Sequence, residues 1–143
     1  EVASEGGFGW LRRLRLIDIL YGVADATEAR RGPDILANRY GHAPGAADAA
    51  EEGCARILAM LSERLRAQEN LGSDYFVGND FTAADLYWAC FSQLLVPMGA
   101  GMNPMPPLLR TAYEAPASLF VDPILIIHRD RVYDRHLSLP LDF

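Results

Sequence analysis

The sequence predicts an all-α fold, a bundle of about five helices. Apolar residues recur at spacings of three and four over several long stretches, which is the periodicity of helices that bury one face. No stretch shows the strict alternation of apolar and polar residues that indicates a half-buried strand. Glycine and proline clusters separate the helical stretches. Half of the 143 residues are hydrophobic, which is enough for a core, so we expect one helical domain over residues 1–143.

The first helix is predicted to run from Trp10 to about Arg30, because apolar residues recur there with helical spacing. The Gly-Pro pair at 32–33 should end it, since glycine is favoured at the C-terminal cap and proline cannot continue a helix. Residues 34–45 contain further glycine and proline and are predicted to be irregular.

A second long helix is predicted from Ala46 to Asn70, with Gly72 as its C-terminal cap. Charged residues occupy one face of this segment and apolar residues another, as in a helix that lies on a core. The apolar stripe consists of Ala50, Cys54, Ile57, Leu58, Leu61 and Leu65.

A tight turn at 78–80 leads into a third helix whose start is marked by a capping box. The Thr82 hydroxyl can accept the N–H of Asp85, and the Asp85 carboxylate can reach back to the N–H of Thr82. Phe81 and Leu86 flank this pair at the spacing of a hydrophobic staple. The positive end of the helix dipole and the N–H bonds explain Asp85, so we expect a structural role for it. The helix is apolar nearly all round and is predicted to be central.

The last third of the chain contains a connector and two helices. Residues 96–107 are rich in proline and glycine, and the three methionines there either line a pocket or fill the core. A short helix is predicted over 108–114. Asp122 should cap the last helix, with Pro123 at its first position and an end near residue 139. Its inward side is predicted to carry Ile124, Ile127, Val132 and Leu137.

Charge and composition exclude several classes of protein. A net charge of −6 argues against nucleic acid as a partner. No apolar run reaches the roughly 20 residues that span a bilayer, and the N-terminus lacks the basic start of a signal peptide. Cys54 and Cys90 lie in apolar helical patterns, and buried free thiols suit a reducing, cytoplasmic setting. Arg12, Arg13 and Arg15 are expected on a solvated helix face or as partners in salt bridges.

No set of residues forms a recognisable catalytic or metal centre. His42 lies in a predicted loop, and His128 and His136 are eight positions apart on the last helix. We expect these histidines to be exposed or to cap helices, because no cysteine or carboxylate pattern completes a metal site. No serine lies in a Gly-x-Ser-x-Gly context. The sequence therefore predicts neither catalytic residues nor a bound metal.

The run Gly-Asn-Asp-Phe-Thr-Ala-Ala-Asp at 78–85, which opens an apolar helix, resembles the capping box and staple of the glutathione S-transferase C-terminal domain. The predicted order of helices (long, long, core, short, terminal) is similar to that of helices four to eight in the same family. The fold that the resemblance implies is the helical C-terminal domain of a glutathione S-transferase-like protein.

The resemblance implies a transferase that conjugates glutathione, its co-substrate, to a hydrophobic small molecule. The residue that activates the glutathione thiol would lie in a thioredoxin-like partner domain, which this chain lacks, so the chain alone is expected to be inactive and to bind no cofactor. A homodimer is also implied. In the family the first helix lines the substrate pocket, and the matching positions are Trp10, Leu14, Tyr21, Ala24 and Asp25.

Two other functions remain open on the same resemblance. Helical domains of this type also serve as non-catalytic interaction modules that assemble protein complexes. Others belong to glutathione-dependent isomerases or dehalogenases.

Overall fold

A computed structural model describes residues 1–24 and 27–141 of the chain. These residues form six α-helices and one 3₁₀ helix without a β-strand, so the predicted all-α fold is confirmed for the part described. The helices are α1 (Phe8–Val23), α2 (Thr27–Tyr40), α3 (Ala46–Asn70), α4 (Ala83–Phe91), α5 (Pro107–Tyr113) and α6 (Pro123–His136), and the 3₁₀ helix Ser92–Leu94 follows α4.

The N-terminal third departs from the prediction of one helix followed by an irregular segment. The first helix, α1, ends at Val23 instead of near Arg30. The Gly-Pro pair at 32–33 lies inside α2, so the expected helix end there was wrong, and only residues 41–45 of the segment 34–45 are irregular. The described residues therefore contain six α-helices where about five were expected.

Packing between α1 and α2 explains how a helix continues through Pro33. This proline is buried, and the Tyr21 hydroxyl of α1 donates to Asp34 Oδ1 of α2 at 2.7 Å. Further along, the rings of Trp10 and Tyr40 meet edge to face with their centroids 4.9 Å apart. These contacts hold α2 along α1 and outweigh the local cost of a residue that lacks an N–H.

The long helix α3 has the predicted bounds and packs along α1. Gly53 permits a close approach, because a Cβ at this position would lie 2.6 Å from Leu11 Cδ1 of α1. Gly72 follows the helix with φ of +80°, as expected of a glycine that ends a helix. The buried stripe of α3 provides one wall of the main core.

The helix α4 was expected to be central, but it packs into the core with one side only. Trp88 is fully buried, its ring centroid lies 5.6 Å from that of Phe8, and its Nε1–H donates to Leu125 O of α6 at 2.8 Å. Tyr87 on the other side is half-exposed. Cys90 is also exposed, so the expectation of two buried cysteines holds for Cys54 alone. A nine-residue helix inserted at one side cannot bury its whole circumference.

The last helix begins as predicted, since Asp122 accepts the N–H of Ile124 at 3.1 Å and Pro123 occupies the first position. Of the residues expected on its inward side, Val132 is buried and Ile124 and Leu137 pack against the core, but Ile127 is 56% exposed. The helix ends at His136, three residues before the expected end. The buried positions follow one helical stripe, Leu125, His128, Arg129, Val132 and Tyr133, in which two polar residues interrupt the apolar pattern.

The predicted solvated face at the start of α1 is wrong for Arg12, which is buried. Its guanidinium donates to three carbonyl oxygens, Leu94 O at 2.6 Å, Tyr113 O at 3.1 Å and Glu114 O at 3.2 Å. Arg12 therefore connects α1 to the ends of the 3₁₀ helix and of α5. A guanidinium can occupy such a position because its five N–H donors reach several carbonyls at once.

Within residues 1–24 and 27–141, none of the helices has the length and the hydropathy needed to cross a membrane.

Candidate functional site

A cavity of about 610 Å³ lies between α4, the 3₁₀ helix, the connector, α5 and α6. Its volume is within the range of small-molecule sites. Most of its wall is apolar, and its lining includes Phe91, Leu94, Met105, Leu109, Tyr113 and Leu141. One of the three connector methionines, Met105, thus lines a pocket, whereas Met98 packs on the core of α4 and α6.

Arg110 of α5 holds the connector that forms one side of the cavity. Its guanidinium donates to Met98 O at 2.8 Å and to Asn103 O at 2.6 Å. Between these two residues the chain turns, because the N–H groups of Met102 and Asn103 both donate to Gly99 O. The N–H of Leu141 donates to Met102 O at 2.7 Å and closes the far side. The wall is therefore fixed by hydrogen bonds as well as by packing.

Two amide side chains in the wall, Gln93 and Asn103, are almost fully buried, with 7% and 1% of their surface exposed. Gln93 Oε1 accepts the backbone N–H of Met98 at 2.9 Å and Asn103 Nδ2–H at 3.0 Å. Gln93 Nε2 and Asn103 Oδ1 have no hydrogen-bond partner among the described residues. Buried polar atoms are rarely left unpaired, so these two atoms require an explanation.

Apart from the Arg13 guanidinium, the other polar groups in the wall are uncharged at neutral pH. Burial raises the pKa of Tyr133, against a smaller opposing effect of the Gln93 amide. Burial likewise raises the pKa of Tyr113, against the nearby charge of Arg13. The pKa of the Cys90 thiol is raised by burial as well. A thiol or phenol that stays protonated is a poor nucleophile and cannot act as a base, whereas its S–H or O–H can donate a hydrogen bond to a ligand.

Arg13 separates this cavity from a smaller one of about 310 Å³. Its guanidinium carbon lies 5.4 Å from the ring centroids of both Tyr40 and Phe91, and Nη1–H donates to Gly9 O at 2.9 Å. Contacts of a cation with two aromatic faces fix the side chain between the two cavities.

The residues expected to line the pocket lie along α1 and do not meet at the main cavity. Trp10 lines the smaller cavity, and Leu14 is buried in the core. Tyr21 donates to α2, and Ala24 follows the last residue of α1. From Trp10 to Ala24 the helix rises by roughly 20 Å, too far for one small molecule to contact all of them. Asp25 is outside the described residues.

At the opposite end of α4 from the cavity, the turn and helix start contain a fully buried carboxylate, Asp85. Its Oδ2 accepts the N–H of Thr82 at 2.8 Å and the Thr82 hydroxyl at 2.7 Å. Its Oδ1 accepts the N–H of Phe76 at 2.9 Å. The Thr82 hydroxyl thus donates to the carboxylate within the capping box. Phe81 packs against α6 and stacks on His136, so its staple with Leu86 stays a prediction.

The partner of this carboxylate is His128 on α6, which the sequence patterns did not indicate. His128 was expected to be exposed, but it is buried, with Nε2 3.1 Å from Asp85 Oδ1 and Nδ1 3.1 Å from Asp74 O. Burial alone would raise the pKa of Asp85, but the His128 ring and the donors of Phe76 and Thr82 outweigh burial and lower the pKa to about 2. The spacing of His128 from Leu125 and from Val132 was the signal that placed it in the buried stripe.

The other two histidines are also paired. His42 Nε2 contacts Asp18 Oδ1, and His136 Nε2 lies 3.0 Å from the Tyr75 hydroxyl. Within residues 1–24 and 27–141, no three side chains of the types that bind metals converge on one point.

Comparison with known proteins gives one match. The model of the family described as "Glutathione S-transferase, C-terminal domain" matches residues 34–109, which is more than half of the chain. No curated protein and no solved structure matches it. The matched segment contains the capped turn, the whole of α4 and both amides of the cavity wall. The chain therefore belongs to the glutathione S-transferase C-terminal domain family.

Proposed function

We propose that this chain supplies the substrate pocket of a glutathione transferase that conjugates glutathione to hydrophobic electrophiles. The observation that carries the proposal is the largely apolar cavity of about 610 Å³ between α4, α5 and α6. A site of this size encloses a small aromatic molecule and removes its apolar surface from water.

The proposal assigns substrate binding to this chain and activation of the glutathione thiol to another domain. The burial that raises the pKa of Cys90, Tyr113 and Tyr133 leaves them protonated at neutral pH. Lowering the pKa of the bound thiol is the chemical step that activates glutathione, and none of these residues is assigned that step. We therefore assign thiol activation to a thioredoxin-like partner domain, with glutathione as co-substrate, and we expect the 143-residue chain alone to be inactive.

The setting that we propose is cytoplasmic and homodimeric. Cys54 and Cys90 are both free, which suits a reducing compartment. The family to which the chain belongs supports the homodimer and the partner domain.

A pair of neighbouring leucines in α5 provides the test. Leu109 lines the cavity, whereas Leu108 is half-exposed outside it. In a fluorescence titration with the apolar dye N-phenyl-1-naphthylamine, Leu109→Arg should weaken binding at least about tenfold, because the new side chain places a charge inside the cavity. The matched variant Leu108→Arg should bind as the wild type does. Equal affinities for the two variants would contradict the assignment of the cavity as the binding site.

A second assay addresses activity. The chain mixed with glutathione and 1-chloro-2,4-dinitrobenzene should give no more conjugate than the buffer alone. Clear turnover by the chain alone would overturn the assignment of thiol activation to another domain. An isomerase or dehalogenase would use the same cavity, and product analysis with the parent protein separates these reactions from conjugation.

A non-catalytic interaction module is the second candidate, and exposed apolar side chains favour it. Leu71 after α3 is 80% exposed, and Phe120 before α6 is 77% exposed. Exposed apolar side chains that form a contiguous patch are typical of sites that contact another protein. If this candidate is right, Leu71→Ser or Phe120→Ser should abolish a protein contact and leave dye binding unchanged.

A further inference from the structure

The orientation of the two buried amides in the cavity wall can be deduced from one backbone group. The N–H of Met98 can only donate, so the atom of Gln93 that lies 2.9 Å from it must be Oε1. The atom of Asn103 that lies 3.0 Å from this oxygen must then be the donor Nδ2. Gln93 Nε2 and Asn103 Oδ1 are left over, one a donor and the other an acceptor.

Both leftover atoms are buried without a partner among the described residues, and both side chains line the same cavity. Their surroundings are fixed, because Arg110 donates to the carbonyls of both Met98 and Asn103 and so holds the loop that carries the pair. A donor and an acceptor held in place beforehand bind a complementary group without a further ordering cost.

We propose that this amide pair recognises a neutral polar group that carries an acceptor beside a donor, as a carboxamide does, on an apolar molecule. The carbonyl of such a group accepts from Gln93 Nε2–H, and its N–H donates to Asn103 Oδ1. A carboxylate offers two acceptors and places a negative charge against Asn103 Oδ1, whereas an ammonium offers donors alone. The inference rests on the proposed function, since it names the class of substrate that the same cavity selects.

Three ligands of one shape test the inference on the 143-residue chain. 2-Naphthamide carries the donor and the acceptor, 2-acetylnaphthalene keeps the acceptor alone, and 2-isopropylnaphthalene has neither. A featureless apolar cavity would prefer them in order of hydrophobicity, with the amide weakest. The amide pair reverses that order, and we expect 2-naphthamide to bind about tenfold more tightly than 2-acetylnaphthalene in calorimetric titrations.

Substitutions of similar volume assign the effect to the two residues. Gln93→Met and Asn103→Leu each remove one amide, and in both variants the order of affinities should return to that of hydrophobicity. Leu109→Ala is the matched control, because it changes the cavity wall without touching the amides. In Leu109→Ala all three ligands should bind more weakly, with their order unchanged. Circular dichroism confirms that each variant is folded before it is compared.

The outcomes separate this inference from the proposed function. If none of the three ligands binds the wild-type chain, the cavity is not a ligand site and both proposals fail. If all three bind in order of hydrophobicity, the cavity binds apolar molecules, water occupies the amide pair, and the present inference is overturned. The ranking in the wild type decides between these results even if a variant does not fold.

Discussion

The two ends of α4 differ in whether their buried polar groups have hydrogen-bond partners. At the start of the helix, both oxygens of Asp85 accept hydrogen bonds, three in all, from Phe76 and Thr82. Just beyond its end, Gln93 and Asn103 keep one donor and one acceptor unpaired among the described residues. Since leaving a buried polar group unpaired is costly, the first end is built for stability, and the second is open to a ligand.

His128 lies close to the start of α4 and adds a further polar contact to that end. Its Nε2 lacks a hydrogen bond of good geometry among the described residues, but it lies 3.1 Å from the Asp85 carboxylate. The opposite ring nitrogen faces the Asp74 carbonyl at 3.1 Å. Both ring nitrogens therefore face oxygen atoms that can accept a hydrogen bond. No comparable charge compensates the amides at the other end.

The largest effect should come from removing the carboxylate. Asp85→Ala leaves the N–H groups of Phe76 and Thr82 unpaired and removes the carboxylate beside His128, so the free energy of unfolding should fall by about 3 kcal/mol. Urea denaturation measures this. The exposed Asp80 in the same turn is the control, and Asp80→Ala should change stability by less than about 0.5 kcal/mol. A melting temperature within a degree of the wild type would contradict the role of Asp85.

Part of the loss of stability at acid pH should come from the same residue, Asp85. Because the pKa of Asp85 is lowered to about 2 in the folded chain from 3.8, ionisation of Asp85 stabilises the fold fully above pH 4. That contribution disappears as the pH falls through 2, a loss of about 2 kcal/mol. Asp85→Asn should lack this loss. The urea denaturation midpoints of the wild type and of Asp85→Asn between pH 6 and pH 2 measure this loss. The other carboxyl groups contribute equally in the two proteins, so their effect cancels in the difference. Parallel pH profiles would show that Asp85 titrates normally.

The loop that carries the amides should depend on Arg110. Arg110→Met removes the bonds to Met98 O and Asn103 O and should lower the free energy of unfolding by about 1.5 kcal/mol. The preference for 2-naphthamide should also shrink, because the amide pair loses its fixed position. Arg56→Met on the exposed face of α3 should change neither quantity. An unchanged ligand preference in Arg110→Met would show that the loop is held by packing alone.

Local patterns predicted most of the fold because local chemistry determines it. The bounds of α3, the cap at Asp122 and the helix start at Thr82 each follow from residues within one or two turns. The helix α2 could not be predicted in this way. Its Gly-Pro pair signals a stop, and the contacts that override the signal come from α1, which no short window contains.

The cavity was beyond prediction for the same reason. Gln93 and Asn103 are ten positions apart, and their meeting depends on how the connector turns back towards α4. The buried stripe of α6 could have been found, because Leu125, His128 and Val132 have helical spacing. The stripe was not predicted, because His128 was expected to be exposed or to cap a helix. Buried polar residues are the positions at which a pattern of apolar residues gives the least information.

The smallest change should follow from Asn103→Leu, and it tests the comparison directly. The substitution removes one hydrogen bond to Gln93, but it also removes the unpaired acceptor Oδ1. These two effects oppose each other, so the free energy of unfolding should change by less than about 1 kcal/mol, although Asn103 is as deeply buried as Asp85. Urea denaturation beside Asp85→Ala measures the contrast. Equal losses in the two variants would mean that the amides stabilise the fold, as Asp85 does, and are not held open for a ligand.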